Sequence, residues 1–122
     1  KNKPVAAKPA KTAKPEISIE DFSKVELKTG VVLEAEKHPD ANKLLVLKVD
    51  TGDKVRTIVS GIAEHFSPED IKGRKVCVVT NLKPAKLRGV LSEGMILAAS
   101  DENGKLALVS AGENIAKGCE IK

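Results

Sequence analysis

The sequence predicts an all-β protein with short helices, and three features support that class. Residues 25–36 alternate between an apolar-rich set and a largely charged set, with the two-residue period of a half-buried strand. Several short apolar runs bounded by turn residues follow this segment, as is typical of antiparallel sheets. These runs do not alternate with long helical patterns, which argues against a parallel α/β fold.

The first half of the chain is predicted to contain one capped helix and three strands. A short helix begins after Ser18, whose hydroxyl can accept a hydrogen bond from the amide of Asp21. The long strand over 25–36 has Gly30 near its middle, which indicates a bend or bulge, as at the corner of a small barrel. A loop, a strand, a turn and a strand then follow at 38–42, 44–50, 51–53 and 55–60.

The second half adds a helix and two strands. Ser67 is a candidate N-cap and Pro68 suits the first helical position, so a short helix is predicted there. Strands are predicted at 75–80 and 95–99, with a further short strand at 106–109. Five strands with a helix between the third and fourth are the layout of an OB-fold, a five-stranded Greek-key β-barrel. The alternative is another small antiparallel barrel or sandwich.

Composition divides the chain at residue 15. Residues 1–15 contain only Lys, Ala, Pro, Asn, Thr and Val, which predicts a disordered Lys/Ala/Pro linker. Because Lys1 is not a natural start residue, we expect a fragment cut within a linker, with one folded domain and a C-terminal extension over 16–122. Five of the 21 basic residues lie in the acid-free linker, so the domain carries 16 basic and 17 acidic side chains. Any nucleic-acid binding by the domain therefore requires an uneven charge distribution.

The charge is unevenly distributed at Lys72–Ser92, because this segment has no acidic residue while the whole chain has 17. Its second half, 81–89, places cations around Pro84 and Gly89, which favours a rigid loop that presents charge to an anionic polymer. Neutralising phosphates dominates nucleic-acid affinity. The alternative is a solvated basic loop without a partner. The six cations of the segment are Lys72, Arg74, Lys75, Lys83, Lys86 and Arg88.

The motifs of catalysis are missing from the sequence. It contains no GxGxxG, P-loop, HExxH or GxSxG pattern, and His38 and His65 are isolated. His38, in a loop, is interpreted as a structural or surface histidine. The two cysteines form no CxxC motif, and Cys77 is predicted to be a small buried apolar residue. We therefore expect no catalytic residue, no metal and no cofactor.

The apolar runs and the aromatic content of the sequence indicate where the protein is located in the cell and what kind of partner it binds. No apolar run approaches the length of a membrane span and no signal peptide is visible, so a cytoplasmic protein without a membrane partner is expected. The chain has two Phe, no Trp and no Tyr. Barrels that hold single strands stack bases on aromatic side chains, so a general single-strand binder is disfavoured. Recognition of the shape and backbone of a folded RNA is favoured instead.

Three segments together resemble the tRNA-binding domain family. They are 38–45 (HPDANKLL), 49–52 (VDTG) and 56–99, and the resemblance extends over about 18–122. The most specific motifs in them are NLKP, KLRG and SxGM, at 81–84, 86–89 and 92–95. Members occur at the C-terminus of many bacterial methionyl-tRNA synthetases, in the stand-alone structure-specific tRNA-binding protein and in endothelial-monocyte-activating polypeptide II.

The resemblance implies a non-catalytic OB-fold module that binds the outer elbow of L-shaped tRNA without strong sequence choice. The cations would meet phosphates, and the Asn and Ser would bind phosphate or 2′-hydroxyl groups. Met95 would pack on a sugar or base, unless it is an ordinary barrel residue. Asn42 replaces an acid of many members that would pair with a nearby cation and so bears on the placement of Lys43. Thr29 replaces an aliphatic residue, which is expected to affect only packing. The implied tRNA-binding residues are Lys43, Asn81, Lys83, Lys86, Arg88, Ser92 and Met95.

The resemblance also implies two protein partners. The linker would tether the module to the catalytic body of a methionyl-tRNA synthetase in cis, which raises the local concentration of tRNA. The domain commonly forms a homodimer through the long first strand and the C-terminal segment. Alternatives are a homodimerisation or assembly module with an incidental basic loop, and a stand-alone tRNA chaperone. Candidate dimer residues, or else ordinary core residues, are Leu106, Leu108, Val109, Ile115 and Ile121.

Overall fold

The computed structural model describes residues 13–122, so most of the predicted linker lies outside the described residues. Two four-residue helices, α1 (Ile19–Phe22) and α2 (Pro68–Ile71), accompany the strands. The strands are β1 (Leu27–Lys37), β2 (Leu45–Asp50), β3 (Val55–Ser60), β4 (Lys75–Val79), β5 (Ala85–Leu87), β6 (Val90–Ser92), β7 (Met95–Ile96), β8 (Ala98–Ser100), β9 (Leu106–Leu108) and β10 (Glu120–Ile121). The predicted class, all-β with short helices, is confirmed.

Both predicted helix caps are present. The Ser18 hydroxyl accepts a hydrogen bond from the Asp21 amide at 3.0 Å. The Ser67 hydroxyl accepts one from the Asp70 amide at 3.2 Å, and Pro68 occupies the first helical position. The caps thus supply side-chain acceptors to amides of the first helical turn, and the Asp70 amide also donates to the Ser67 carbonyl at 3.1 Å.

The main sheet is antiparallel, with strand order β3-β2-β1-β4-β7, and β10 pairs with β1. The fourth strand thus returns beside the first, which is the Greek-key order. The free edge of β3 meets the segment before β7, where the Glu93 amide donates to the Thr57 carbonyl at 2.7 Å. The Glu93 carboxylate accepts from the Thr57 amide at 2.9 Å. The five strands therefore form a nearly closed, OB-like barrel, as the sequence predicted.

The barrel interior is filled by branched aliphatic side chains from both halves of the chain, and Ile71 of α2 lies fully buried against them. Together they bury the apolar surface that stabilises the domain. Cys77 is also buried, as predicted, and desolvation raises the pKa of its thiol. Besides Ile71, the buried cluster contains Val32, Leu45, Leu47, Val49, Ile58, Ile62, Val76, Val78 and Ile96.

The register of β1 differs from the simple alternation in the sequence. Gly30 faces the interior, where an added Cβ would lie 2.8 Å from a methyl group of Val49. Val32, on the same face, is buried, whereas Leu33 is 40% exposed. The pairing of β1 with β2 shifts between Val32 and Glu34, so the predicted irregularity is present but lies after Gly30. This bulge exchanges the two faces, so Gly30 and Val32 face the interior before it, whereas Ala35 of the other set packs against the core after it.

Two regions were wrong in the predicted element pattern. The predicted strand at 95–99 is two strands, because β7 completes the barrel whereas β8 pairs with β9 in a separate sheet. Residues 81–89 were predicted to be a rigid loop, but 85–87 are β5, which pairs with β6 in a hairpin. Its strands are only three residues long, too short for a clear periodicity.

Thr29 joins the C-terminal segment to the barrel, although its difference from the family pattern was expected to affect only packing. Its buried hydroxyl donates to the Ala116 carbonyl at 2.6 Å and accepts from the Cys119 amide at 2.9 Å. Its backbone carbonyl accepts from the Gly118 amide at 2.8 Å. A hydroxyl at this position therefore satisfies two backbone groups that an aliphatic residue cannot reach.

We expect Thr29→Val to lower the free energy of unfolding by about 1–3 kcal/mol, because the Cys119 amide and the Ala116 carbonyl lose the partner of two part-buried hydrogen bonds. Urea unfolding followed by circular dichroism measures this change. Thr57→Val is the matched control, since the Thr57 hydroxyl only accepts from the exposed Lys48 ammonium, and it is expected to cost less than about 0.5 kcal/mol. Equal stability of the two variants would contradict this role of Thr29.

Candidate nucleic-acid interface

Residues 81–92, the second part of the acid-free stretch and from here on called the basic segment, contain a hairpin with a two-residue turn at Arg88-Gly89. Both residues have positive φ, 51° and 90°, as a type I′ turn requires. Arg88 is the only non-glycine residue with positive φ among those described, and this conformation costs about 1–3 kcal/mol for a residue with a side chain. Asn-Gly is the usual sequence signal for this turn. Because the turn here is Arg-Gly, the sequence did not predict the hairpin.

Four of the predicted cations are exposed in this region. Lys83 precedes the hairpin, Lys86 lies on β5 and Arg88 is at the turn. Lys43 lies on the loop after β1, and this loop and Arg88 line the same open groove. Lys43, Lys83 and Lys86 form no ion pair with any of residues 13–122. Asn42, also in this groove, leaves Lys43 without the neighbouring acid of many family members.

The other three cations of the acid-free segment do not belong to this surface. Lys72 pairs with Glu34 at 3.8 Å, and Arg74 lies 5.4 Å from the centre of the Phe66 ring. The Lys75 ammonium donates to two backbone carbonyls, at 2.6 and 2.7 Å. These residues precede or begin β4, whereas the hairpin follows its end, and a five-residue strand separates the two by roughly 15 Å. The predicted six-cation surface is therefore limited to its second half.

Asn81 and Ser92 use their polar atoms to hold the ends of the basic segment. The Asn81 side chain accepts from the Glu26 amide at 2.9 Å and donates to the Lys24 carbonyl at 2.7 Å. Ser92 is 5% exposed; its hydroxyl accepts from the Val59 amide at 2.9 Å and donates to a carbonyl. These hydrogen bonds give both residues a positioning role, and the tRNA-binding role that the resemblance implies for them stays a prediction. Met95, by contrast, is 45% exposed.

His38 joins the loop after β1 to the hairpin, and the sequence did not indicate this connection. Its ring is buried, with Nδ1 2.9 Å from the Asp40 amide and Nε2 3.1 Å from the Leu87 carbonyl. An amide can only donate and a carbonyl can only accept, so the neutral tautomer protonated on Nε2 satisfies both contacts. The Arg88 guanidinium donates to the Asp40 carbonyl at 3.0 Å. Loop and hairpin are thus one connected unit.

Arg56 holds both ends of the basic segment from inside the barrel. Its guanidinium donates to the Thr80 carbonyl at 3.2 Å and to the Glu93 carbonyl at 3.3 Å, the residues that precede and follow the segment. It also donates to the Thr51 hydroxyl and pairs with Asp53 at 3.0 Å. The hydrogen bond from Thr51, together with the charge of Arg56, lowers the pKa of Asp53 to about 2. The carboxylate therefore stays ionised at neutral pH.

Among residues 13–122, no group of three or more His, Cys, Asp or Glu residues is arranged to hold a metal ion. In the same part of the chain, no helix is long and apolar enough to cross a membrane.

A nearly closed OB-like barrel with an exposed, unpaired basic hairpin defines a small module suited to an anionic polymer. Residues 27–120 match the family described as "Putative tRNA binding domain", and the chain belongs to this family. It is 48% identical over 113 residues to the methionine–tRNA ligase of Bacteroides fragilis, covering 93% of this chain and 17% of that protein. The chain thus spans about a sixth of such relatives, and the matched region is their C-terminal part.

Solved structures agree with this assignment. The MetRS-related protein from Pyrococcus horikoshii is 39% identical, with a TM-score of 0.83 over 89% of this chain and 100% of that one. The chaperone CsaA from Bacillus anthracis is 27% identical, with a TM-score of 0.79 over 88% of this chain and 100% of that one. The predicted family and barrel fold are therefore confirmed.

The His38 contacts predict a local effect of its removal. We expect His38→Ala to accelerate hydrogen exchange at the Asp40 amide about tenfold, because the lost hydrogen bond is worth about 1–1.5 kcal/mol. Exchange monitored by NMR measures this directly. The exposed His65→Ala is the matched control and should leave the Asp40 amide unchanged. Unaltered exchange at Asp40 in the His38 variant would mean that other contacts hold the loop.

Proposed function

We propose that this chain is a non-catalytic, structure-specific tRNA-binding module that binds the elbow of L-shaped tRNA and raises the tRNA affinity of a methionyl-tRNA synthetase. The observation that carries the proposal is the set of exposed side chains of Lys43, Lys83 and Lys86, which lack ion-pair partners among the described residues, beside Arg88. Membership of the tRNA-binding domain family gives the class of nucleic acid.

Phosphate contacts account for binding without sequence choice. Lysine and arginine on phosphate oxygens fix orientation on the RNA but carry no base information. The cations lie on two chain segments that His38 and Arg88 connect, so their spacing is set before binding. A preformed spacing matches one arrangement of phosphates, and it reduces the ordering cost of association. Shape selection then follows from the fold of the RNA backbone rather than from its bases.

Attachment to a synthetase would allow even weak tRNA binding by this module to raise the tRNA affinity of the whole enzyme. The relatives of this chain include methionine–tRNA ligases, of which the match to this chain covers 17%. We propose that residues 1–15 act as the tether to such a catalytic body, in the cytoplasm. A tether makes the second contact with one tRNA molecule intramolecular, so a modest affinity of the barrel raises the affinity of the whole enzyme. A stand-alone tRNA chaperone is the alternative, supported by the similarity to CsaA.

An exposed apolar surface supports homodimerisation as a second role. Ile19, Phe22 and Val25 are 71%, 43% and 42% exposed, and they line one groove with Ile121 of β10. Such clustered apolar residues are typical of protein interfaces. Val109 and Ile115 are also exposed, each 38%. Leu106 and Leu108 instead pack against the core cluster, which favours their alternative interpretation as core residues.

The phosphate contacts predict a salt dependence. With four cations on four phosphates, log K should fall with log salt at a slope of about −3 to −4. Lys86→Gln should reduce that slope by about one unit and weaken binding to all tRNA species alike. Arg88→Asn should do the same, and Asn suits the positive φ of the turn. Fluorescence titrations at several salt concentrations, with and without residues 1–15, measure both quantities.

Lys72→Gln is the matched control, because Lys72 lies beyond the far end of β4 and pairs with Glu34. It should leave affinity and slope unchanged. A flat salt response of the unaltered chain, or a loss confined to one tRNA species, would refute phosphate recognition by this hairpin.

The dimer proposal predicts a separable effect. Ile19→Asp should convert a dimer into a monomer in sedimentation equilibrium, because a charge enters an apolar interface. Val55→Asp is the control, since Val55 is 49% exposed but lies at the start of β3. A monomeric unaltered chain, or an Ile19→Asp variant that remains dimeric, would exclude this interface.

A further inference from the structure

An apolar groove lies between the basic segment and the barrel. It has a volume of about 320 Å³, at the lower end of the range typical of small-ligand sites. Leu82 and Leu87 supply one wall, and Met95 of β7 with Val59 of β3 supplies the other. Leu82, Leu87 and Met95 are 46%, 39% and 45% exposed, although long apolar side chains are usually buried.

We propose that this groove receives an unstacked nucleobase of the tRNA that the basic hairpin holds, an inference that rests on the proposed function. Lys83 lines the groove itself, whereas Lys86 is next to Leu87 on β5 and so lies on the opposite face of the hairpin. A nucleotide combines an apolar face with an anionic phosphate, which matches an aliphatic groove that has Lys83 in its lining. The charged residue among the lining side chains is a lysine, and none of them is an acid.

The same features disfavour an apolar peptide as the occupant. An apolar peptide would gain from the aliphatic walls but would leave Lys83 without an anionic partner. The exposed cations of the basic segment already point to an anionic polymer, and a base attached to that polymer enters the groove without a second binding event. The groove and the hairpin are therefore assigned to one ligand.

The groove holds a base without identifying it. The buried polar side chain beneath it is Ser92, whose hydroxyl is already engaged with the Val59 amide and the Gly94 carbonyl. No aromatic residue lines the groove, so the base packs on aliphatic side chains instead of stacking on a ring. Such contact depends on apolar area and not on hydrogen-bonding edges. It adds affinity for an RNA that exposes an unstacked base at this distance from its phosphates.

The composition of the chain makes a direct test possible. Met95 is the single methionine of the 122 residues, so methyl-¹³C-methionine labelling gives one NMR signal from the groove wall. The chain has no Trp or Tyr, and neither Phe22 nor Phe66 lines the groove. We expect folded tRNA to move this signal upfield through the ring current of a base. An unmoved signal at saturating tRNA would overturn the inference, as would a signal that moves with an apolar peptide but not with tRNA.

A pair of leucine variants tests the energetic contribution. Leu82 and Leu91 are equally exposed, at 46%, but only Leu82 lines the groove. We expect Leu82→Ala to weaken tRNA binding about three- to tenfold through lost apolar contact. The slope of log K against log salt should not change, because no phosphate contact is lost. Leu91→Ala should leave affinity and slope unaltered.

The outcomes separate this inference from the function on which it rests. Strong salt-dependent binding of tRNA by the unaltered chain, with no effect of Leu82→Ala and no shift at Met95, would leave the hairpin function intact and refute the base site. Absent or salt-independent binding by the unaltered chain would refute the proposed function itself. Should Leu82→Ala fail to fold, the Met95 signal of the unaltered chain still decides the matter.

Discussion

The buried guanidinium of Arg56 is the contact on which the basic segment depends. It donates to the carbonyls of Thr80 and Glu93, which are the residues on either side of that segment. Glu93 also closes the barrel through both of its hydrogen bonds with Thr57. The closure of the barrel and the position of the hairpin therefore depend on the same residues, Arg56 and Glu93. A buried charge is costly unless it is paired, and Arg56 meets this requirement with Asp53 and backbone carbonyls.

This arrangement separates the residues that bind from those that position. The side chains of Asn81, Ser92 and His38 form hydrogen bonds within the protein. These bonds hold the two ends of the basic segment and the Leu87 carbonyl next to its turn. Lys83 and Lys86 stay exposed without ion pairs among the described residues. A backbone that is ordered before binding removes the cost of ordering the loop, so only the ordering of the side chains offsets the attraction of these cations to phosphate. The aliphatic groove beside them extends the same surface to the bases.

Local signals in the sequence predicted much of the fold. The strand at 55–60 and the caps at Ser18 and Ser67 rest on nearest-neighbour chemistry, and the structure agrees with them. The hairpin did not follow from pattern, because its strands are short and its turn is Arg-Gly. The roles of Thr29 and His38 depend on partners distant in sequence, 87 and 49 residues away. Among the seven predicted site residues, Asn81 and Ser92 also bond to partners distant in sequence, so the sequence could not distinguish them from the exposed lysines.

The most direct test of the account compares binding of this chain to folded tRNA, heat-unfolded tRNA and a DNA duplex, with residues 1–15 present and removed. All three polymers supply phosphates, but only folded tRNA supplies the spacing for which the hairpin and its neighbouring loop are held. The account predicts a preference for folded tRNA that survives removal of residues 1–15. Equal binding to the three polymers that disappears with those residues would contradict it, because the lysines of the linker would then be the binding site.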